Sequence, residues 1–259
     1  MTQSERLLWL IKYLLAENPG YKNVAIPVHT DEQFNLYRSL VNVRMPELIS
    51  DEYLTVEDEY LREETNRKGI KHINKLIPCS DDIYLWQGDI TTIDADAIVN
   101  AANNQLLGCF CPCHACIDNC IHTFAGVRLR LNCNEIMQMQ GCKEPTGRAK
   151  ITPAYNLPSK YVIHTVGPII NGILSKKDKE LLACCYYECL KSADEYSLES
   201  ITFCCISTGE FHFPNDRAAQ IAVNTVKAYK TETNSKIKVI FNVFKNKDYE
   251  IYRELLCSD

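Results

Sequence analysis

Five short apolar runs, spaced by helical stretches, constrain this chain more than any other feature. The runs are Ile83-Tyr84-Leu85-Trp86, Ala97-Ile98-Val99, Tyr161 to Val166, Ile201 to Ile206 and Lys238 to Val243. Residues 117–131, 178–197, 215–230 and 247–256 read as helices around them. Strands that are apolar throughout need cover on both faces. The alternation therefore predicts an α/β fold with a mixed or parallel central sheet flanked by helices. In such sheets ligands bind where the carboxyl ends of strands pass into loops. Two polar segments fall at such places, Asn100-Ala101-Ala102-Asn103 after one strand and Ser207 to Phe213 after another.

Residues 1–80 read differently, as a helical N-terminal extension of the domain formed by residues 81–259. Leu7, Leu8, Leu10, Ile11, Leu14 and Leu15 recur at helical spacing until Asn18-Pro19-Gly20 stops them. Asp31 is the expected N-cap of a second helix with Phe34, Tyr37, Leu40 and Val41 on one face. A third, charged helical stretch is expected from Asp51 to Lys75. No chemistry is legible here, and the reading is a helical cap packed on the main domain.

The composition is that of a globular protein, with 46% hydrophobic and 24% charged residues. A net charge of −5 argues against a general nucleic-acid binder, although Arg128, Arg130 and Arg148 are local cations able to face a phosphate. There is no apolar run of membrane-spanning length and no leader pattern, so a cytoplasmic protein without a membrane partner is expected. In a reducing compartment its cysteines are thiols or metal ligands rather than disulfides. The adjacent pairs Cys184-Cys185 and Cys204-Cys205 read as small core residues.

Seven of the 14 cysteines lie between Cys109 and Cys142, and four of these crowd with His114 into residues 109–116. Thiolates and an imidazole so close together form a soft-ligand cluster of the kind zinc prefers. The cluster follows Gly88-Asp89-Ile90 and Asn100 to Asn103, which read as parts of a nucleotide pocket. Asp89 after a strand can accept from an adenine amino group or cap a turn. Asn100 and Asn103 can serve ribose hydroxyls or form turns. Ser207-Thr208-Gly209 before a helix can offer backbone amides to an anion, as other loops at helix N-termini do. Phe211 and Phe213 either lie against a sugar or fill core.

In this order the pieces resemble the macrodomain family, whose members bind ADP-ribose. The resemblance rests on Gly88-Asp89-Ile90, Asp96 to Asn103, Ile121-His122 with Ala125-Gly126, Ile163 to Pro168 and Ile206 to Gly209. Residues 108–119 further look like the loop of microbial zinc-containing macrodomains, often encoded beside a sirtuin-type ADP-ribosyltransferase and a lipoyl-carrier protein. Leu40 to Pro46 in the extension also resembles that subgroup.

This resemblance implies a macrodomain fold and a zinc-dependent hydrolase that removes mono-ADP-ribose from modified side chains, with acidic-residue esters the expected linkage. It implies Cys109, His114 and Cys116 as Zn2+ ligands with a fourth position open to water or substrate. Cys111 or Cys113 would close that position, but the subgroup does not require cysteine there, and both are read as bystanders. Asp118 and Asn103 are the implied catalytic residues. Asp89, Ile90, Asn100, Asn103, Asn119, Ser207, Thr208, Gly209, Glu210 and Phe211 are the implied ADP-ribose contacts. The implied partner is a mono-ADP-ribosylated protein, among them a lipoyl-carrier protein modified by a sirtuin-type transferase.

His122 reads as a packed histidine behind Asp118, and His164 as a core residue with a satisfied imidazole. His212 departs from the family, where many members carry glycine, and Glu210 adds an acid near a diphosphate. Three other readings share these residues: a non-catalytic ADP-ribose reader, an O-acetyl-ADP-ribose deacetylase, and a structural zinc protein that binds RNA.

Overall fold

The computed structural model describes residues 1–257 of the chain. Three helices come first: α1 (Gln3–Glu17), α2 (Thr30–Val43) and α3 (Asp51–Lys68). Seven strands and five helices follow. They run β1 (Pro78–Ser80), β2 (Ile83–Gln87), β3 (Ala97–Ala101), α4 (Ile117–Ala125), α5 (Val127–Gln140), β4 (Ala149–Pro153), β5 (Tyr161–Thr165), α6 (Lys176–Glu195), β6 (Ser200–Phe203), α7 (Asn215–Thr233), β7 (Lys238–Val243) and α8 (Asn246–Cys257).

The sheet has the order β1-β2-β7-β6-β3-β5-β4. Strands β2, β7, β6, β3 and β5 are parallel, and β1 and β4 pair antiparallel at the two edges. This is the mixed sheet that the apolar runs predict. The five runs became the five parallel strands; β3, β5, β6 and β7 are buried nearly throughout, as strands covered on both faces are, while β2 is half-buried or exposed beyond Ile83. The edge strands were not foreseen. Pro78–Ser80 and Ala149–Pro153 are short, and their residues are half-buried or exposed except Thr152, so they lack that signal.

Helix boundaries also differ from expectation in instructive ways. Helix α2 begins at Thr30 with His29 at its N-cap, so Asp31 lies in the first turn beside Glu32, where the helix dipole favours acids. The third helix stops at Lys68 because Gly69 takes a φ of 87°, and residues beyond it turn to the sheet, with Lys71 bridging Ile93. The sheet thus begins at Pro78, inside the expected extension. The expected helix over 117–131 is two helices broken at Gly126, φ 90°. A Cβ there would meet the Glu57 carboxylate at 2.6 Å.

Glu57 explains much about how the first three helices attach. It is fully buried on α3 and accepts from the Tyr37 and Tyr53 hydroxyls and from the Val127 amide at the start of α5. Burial pushes its carboxyl up to about 7, against the pull of those donors. Leu7, Leu10, Tyr37, Tyr53 and Leu61 are buried in one apolar cluster with Ile121, Phe124 and the sheet residues. The N-terminal helices share the core of the domain rather than standing off from it. Among the described residues, no helix is long and apolar enough to cross a membrane.

Candidate active site

The carboxyl ends of β2, β3, β6 and β7 open into a cleft of about 810 Å³. Its lining includes Gly88 to Ile90, Ala101 to Asn103, Ser207 to Phe211, and Asn242 with Phe244 and Lys245. Each segment leaves a strand at the same edge of the sheet, as the parallel topology requires. The remaining wall is the loop from Gly108 to Cys116 and the first turn of α4.

Cys109, His114 and Cys116 bring one ligand atom each to within 4.8 Å of one another. Cys109 Sγ and His114 Nδ1 are 3.5 Å apart. Cys116 is also the N-cap of α4, its sulfur accepting from the Asn119 amide at 3.4 Å. Burial pushes the Cys116 thiol up to about 12; the Asn119 amide lowers it and the Cys109 sulfur raises it further. Two sulfurs with one imidazole are a donor set that suits zinc, and a bound cation would draw both cysteines to thiolates. Cys111 is exposed, and Cys113 turns away, its sulfur 3.3 Å from the Asn35 carbonyl and 3.2 Å from Ser39 Oγ. Neither joins the group. His114 Nε2 faces Glu210 Oε1 at 3.6 Å, so Glu210 leans toward the cysteine loop and is otherwise largely exposed.

The loop enters at Gly108, φ 80°, where a Cβ would lie 2.9 Å from the His122 ring, so only glycine fits. Asp118, on the first turn of α4, lines the cleft with a buried carboxylate. Its Oδ1 accepts from Asn100 Nδ2 at 2.8 Å, and its Oδ2 lies 3.5 Å from Asn103 Nδ2. Burial raises Asp118 to about 6, partly offset by Asn100 and by the Arg130 guanidinium. His122, one turn on, is packed with Nε2 3.5 Å from Asp118 Oδ1, and burial holds it well below the ordinary histidine range. His164 is buried between Asn100 and Thr152, 3.1 and 2.9 Å from its two nitrogens.

Two expected ligand contacts lie elsewhere. Asn100 is fully buried beneath Asp118, and Asn119 is fully buried behind the cysteine loop; neither reaches the cleft wall. Their carboxamides hold Asp118 and the loop instead. Asp89, Ile90, Asn103, Ser207, Thr208, Gly209, Glu210 and Phe211 do line the cleft. Asp89 Oδ1 accepts from the Thr91 amide and hydroxyl, and Oδ2 pairs with Lys68 Nζ at 2.8 Å. Among the described residues, the amides of Gly209, Glu210 and Phe211 find no protein acceptor, which leaves three successive donors for an anion. Ser207 and His212 flank this turn at φ 65° and 57°.

Arg128, Arg130 and Arg148 do not face the cleft. They pair with Asp58, with the carbonyls of Leu107, Val41 and Arg44, and with Glu188. The cleft's cations are Arg38, Lys68 and Lys245, none of which is among the residues expected from the sequence. Arg38 and Lys68 come from α2 and α3, where they resemble any polar residue of an amphipathic helix. The sequence held no signal for them. Phe244 and Lys245 were within reach, since they directly follow an expected strand at its ligand-binding end.

The profile of the family described as Macro domain matches residues 99–222. A Protein-ADP-ribose hydrolase from Treponema medium is 56% identical over 99% of this chain and 100% of its own. One from Staphylococcus aureus strain MSSA476 is 51% identical over 98% of this chain and 96% of its own. The solved Trypanosoma brucei macrodomain in complex with ADP-ribose superposes with a TM-score of 0.65 at 27% identity, covering 84% of this chain and 94% of that one.

Proposed function

The chain belongs to the macrodomain family, and from that premise we propose that it hydrolyses the bond between mono-ADP-ribose and a modified protein side chain. One observation carries the reading: three soft metal ligands and the buried Asp118 share a single cleft with three unpaired backbone amides. The amide turn at Gly209 to Phe211 suits the diphosphate, and Asp89 with Ile90 suits the adenine. That orientation directs the distal ribose to Asn103, Asp118 and the cysteine loop.

Asp118 is held by Asn100 and Asn103, and its raised proton affinity suits it to orient a water and accept its proton near neutral pH. Cys109, His114 and Cys116 would hold Zn2+, which supplies a Lewis acid for a ribose hydroxyl or water. The cleft's arrangement, with the ribose fixed before reaction, gains rate from orientation. Resemblance to the zinc-containing subgroup extends the proposal to an ester on an acidic residue, and to a lipoyl-carrier protein modified by a sirtuin-type transferase in the cytoplasm.

The test is release of ADP-ribose from a protein modified on acidic residues, before chelation, after it, and after zinc is restored. Loss and recovery of release support the reading. Release that is indifferent to chelation removes the metal from it, and binding of ADP-ribose without any release leaves a reader module.

A further inference from the structure

We propose that helix α2 is the template on which the metal loop is shaped, so that metal occupancy and docking of the N-terminal helices form one coupled equilibrium. This rests on reading Cys109, His114 and Cys116 as a metal site. It adds that the N-terminal helices, which contribute no ligand, set the affinity of that site.

The loop from Cys109 to Cys116 carries no helix or strand of its own. One face of α2 presents Asn35, Arg38, Ser39 and Asn42 to it, at the spacing of successive helical turns. Arg38 Nη2 donates to the His114 carbonyl at 2.7 Å, and its Nη2 and Nε donate to Asn119 Oδ1 at 2.8 and 3.2 Å. Asn119 Nδ2 in turn donates to the carbonyls of Cys111 and Cys109, at 3.0 and 3.5 Å. One guanidinium therefore fixes, directly or through Asn119, the backbone on either side of the ligands.

Asn42 makes the second hold, its Oδ1 accepting from the Cys113 amide at 3.0 Å. Cys113 takes the left-handed conformation, φ 53°, so this amide is turned by a backbone that most residues avoid. The Cys113 thiol donates to the Asn35 carbonyl and meets Ser39 Oγ, which commits it to α2 rather than to a metal. These bonds reach the loop's carbonyls, one amide and Cys113, and none touches a ligand atom. Arg38 and Asn42 are thus positioning residues, and the ordering of the loop is done by α2 before an ion arrives. Since such coupling is reciprocal, an ion in the site must also hold α2 in place.

The experiment uses the full chain loaded with zinc and a chromogenic chelator to follow zinc release. Arg38→Gln and Asn42→Ala are compared with Arg6→Ala, whose partners Glu59 and Glu63 lie within the N-terminal helices. Residues that orient metal ligands are worth about 10- to 100-fold in affinity. Release should quicken by that factor in the first two variants and be unchanged in the third. Arg38→Lys keeps a charge without the forked bond to Asn119, and should also release zinc faster.

Hydrogen exchange of α2 in the unsubstituted chain gives a second reading that does not depend on a variant folding. Zinc should slow exchange at residues 35–42 and leave α7 unaffected. Wild-type release rates in Arg38→Gln and Asn42→Ala, or equal α2 exchange with and without zinc, overturn the coupling. An unsubstituted chain that takes up no zinc overturns the metal reading itself.

Discussion

Asn100 Nδ2 lies 2.8 Å from Asp118 Oδ1, so the carboxylate in the cleft is oriented by a side chain that never reaches the cleft. The same amide faces His164 Nδ1 at 3.1 Å. Burial pushes His164 down to about 3, which keeps the ring neutral. A neutral ring that accepts at Nδ1 carries its proton on Nε2, where Thr152 Oγ1 lies 2.9 Å away. The Asp118 carboxylate is thereby tied through Asn100 to strands β5 and β4.

Asn100→Ala should therefore lower the rate of ADP-ribose release by about 10²-fold, the typical cost of misplacing a reacting group. The affinity for ADP-ribose should be largely retained. Single-turnover release and calorimetric titration separate the two effects. Equal losses in both would mean that Asn100 contacts the ligand directly.

Metal content should follow the geometry of the loop. Cys111→Ser should purify with as much zinc as the unsubstituted chain, because Cys111 is exposed and outside the ligand group. Cys109→Ser and His114→Ala should lose zinc and at least about tenfold in activity. Elemental analysis of the purified variants decides it. A zinc deficit in Cys111→Ser would mean a four-ligand site.

Glu57 should give stability a pH dependence of recognisable sign. Its carboxyl is raised to about 7 in the folded chain, against about 4.3 when unfolded. The folded state then holds a proton that the unfolded state lacks. The contribution is complete below the unfolded value and is lost as pH rises through 7, at about 1.4 kcal/mol per unit within that window. Around Glu57 stand the Tyr37 and Tyr53 hydroxyls, the Val127 amide and the neighbouring Asp58. Urea unfolding of the Glu57→Gln variant between pH 5 and 8 should show a flatter profile than the unsubstituted chain. Parallel profiles would rule Glu57 out. Glu57→Ala, which leaves three buried donors unpaired, should cost about 3 kcal/mol at pH 5 and less at pH 8, where the unsubstituted chain has itself lost the Glu57 contribution.

His212→Gly should raise stability by up to about 1 kcal/mol, because φ at this position is 57° and glycine takes that conformation without strain. Thermal unfolding is the measurement. A lower melting temperature would show that the exposed imidazole makes a contact worth more than the strain.

The sequence made the parallel strands legible because four of them are buried nearly throughout and all five carry a continuous apolar run. It concealed β1 and β4, which are short edges without one. The cleft residues that follow strands, such as Asp89, Asn103 and Ser207, were legible for the same topological reason. Arg38 and Lys68 were not, since their place at the cleft depends on how three N-terminal helices pack, and packing leaves no local mark. Asn100 and Asn119 stand out in the sequence, where their type suits contact roles, yet both are buried in the structure. A carboxamide that supports a carboxylate or a loop has the same sequence signature as one that holds a ribose.

The order of the strands also bears on where this protein can be cut. The family profile spans residues 99–222, yet β7 lies between β6 and β2 in the sheet, and both β7 and β2 fall outside that span. A fragment trimmed to the profile would keep β6 and strip its neighbour, leaving an unpaired edge of buried residues open to other chains. The boundary of the family profile is therefore not a boundary of folding, and a soluble expression fragment must keep β2 and β7.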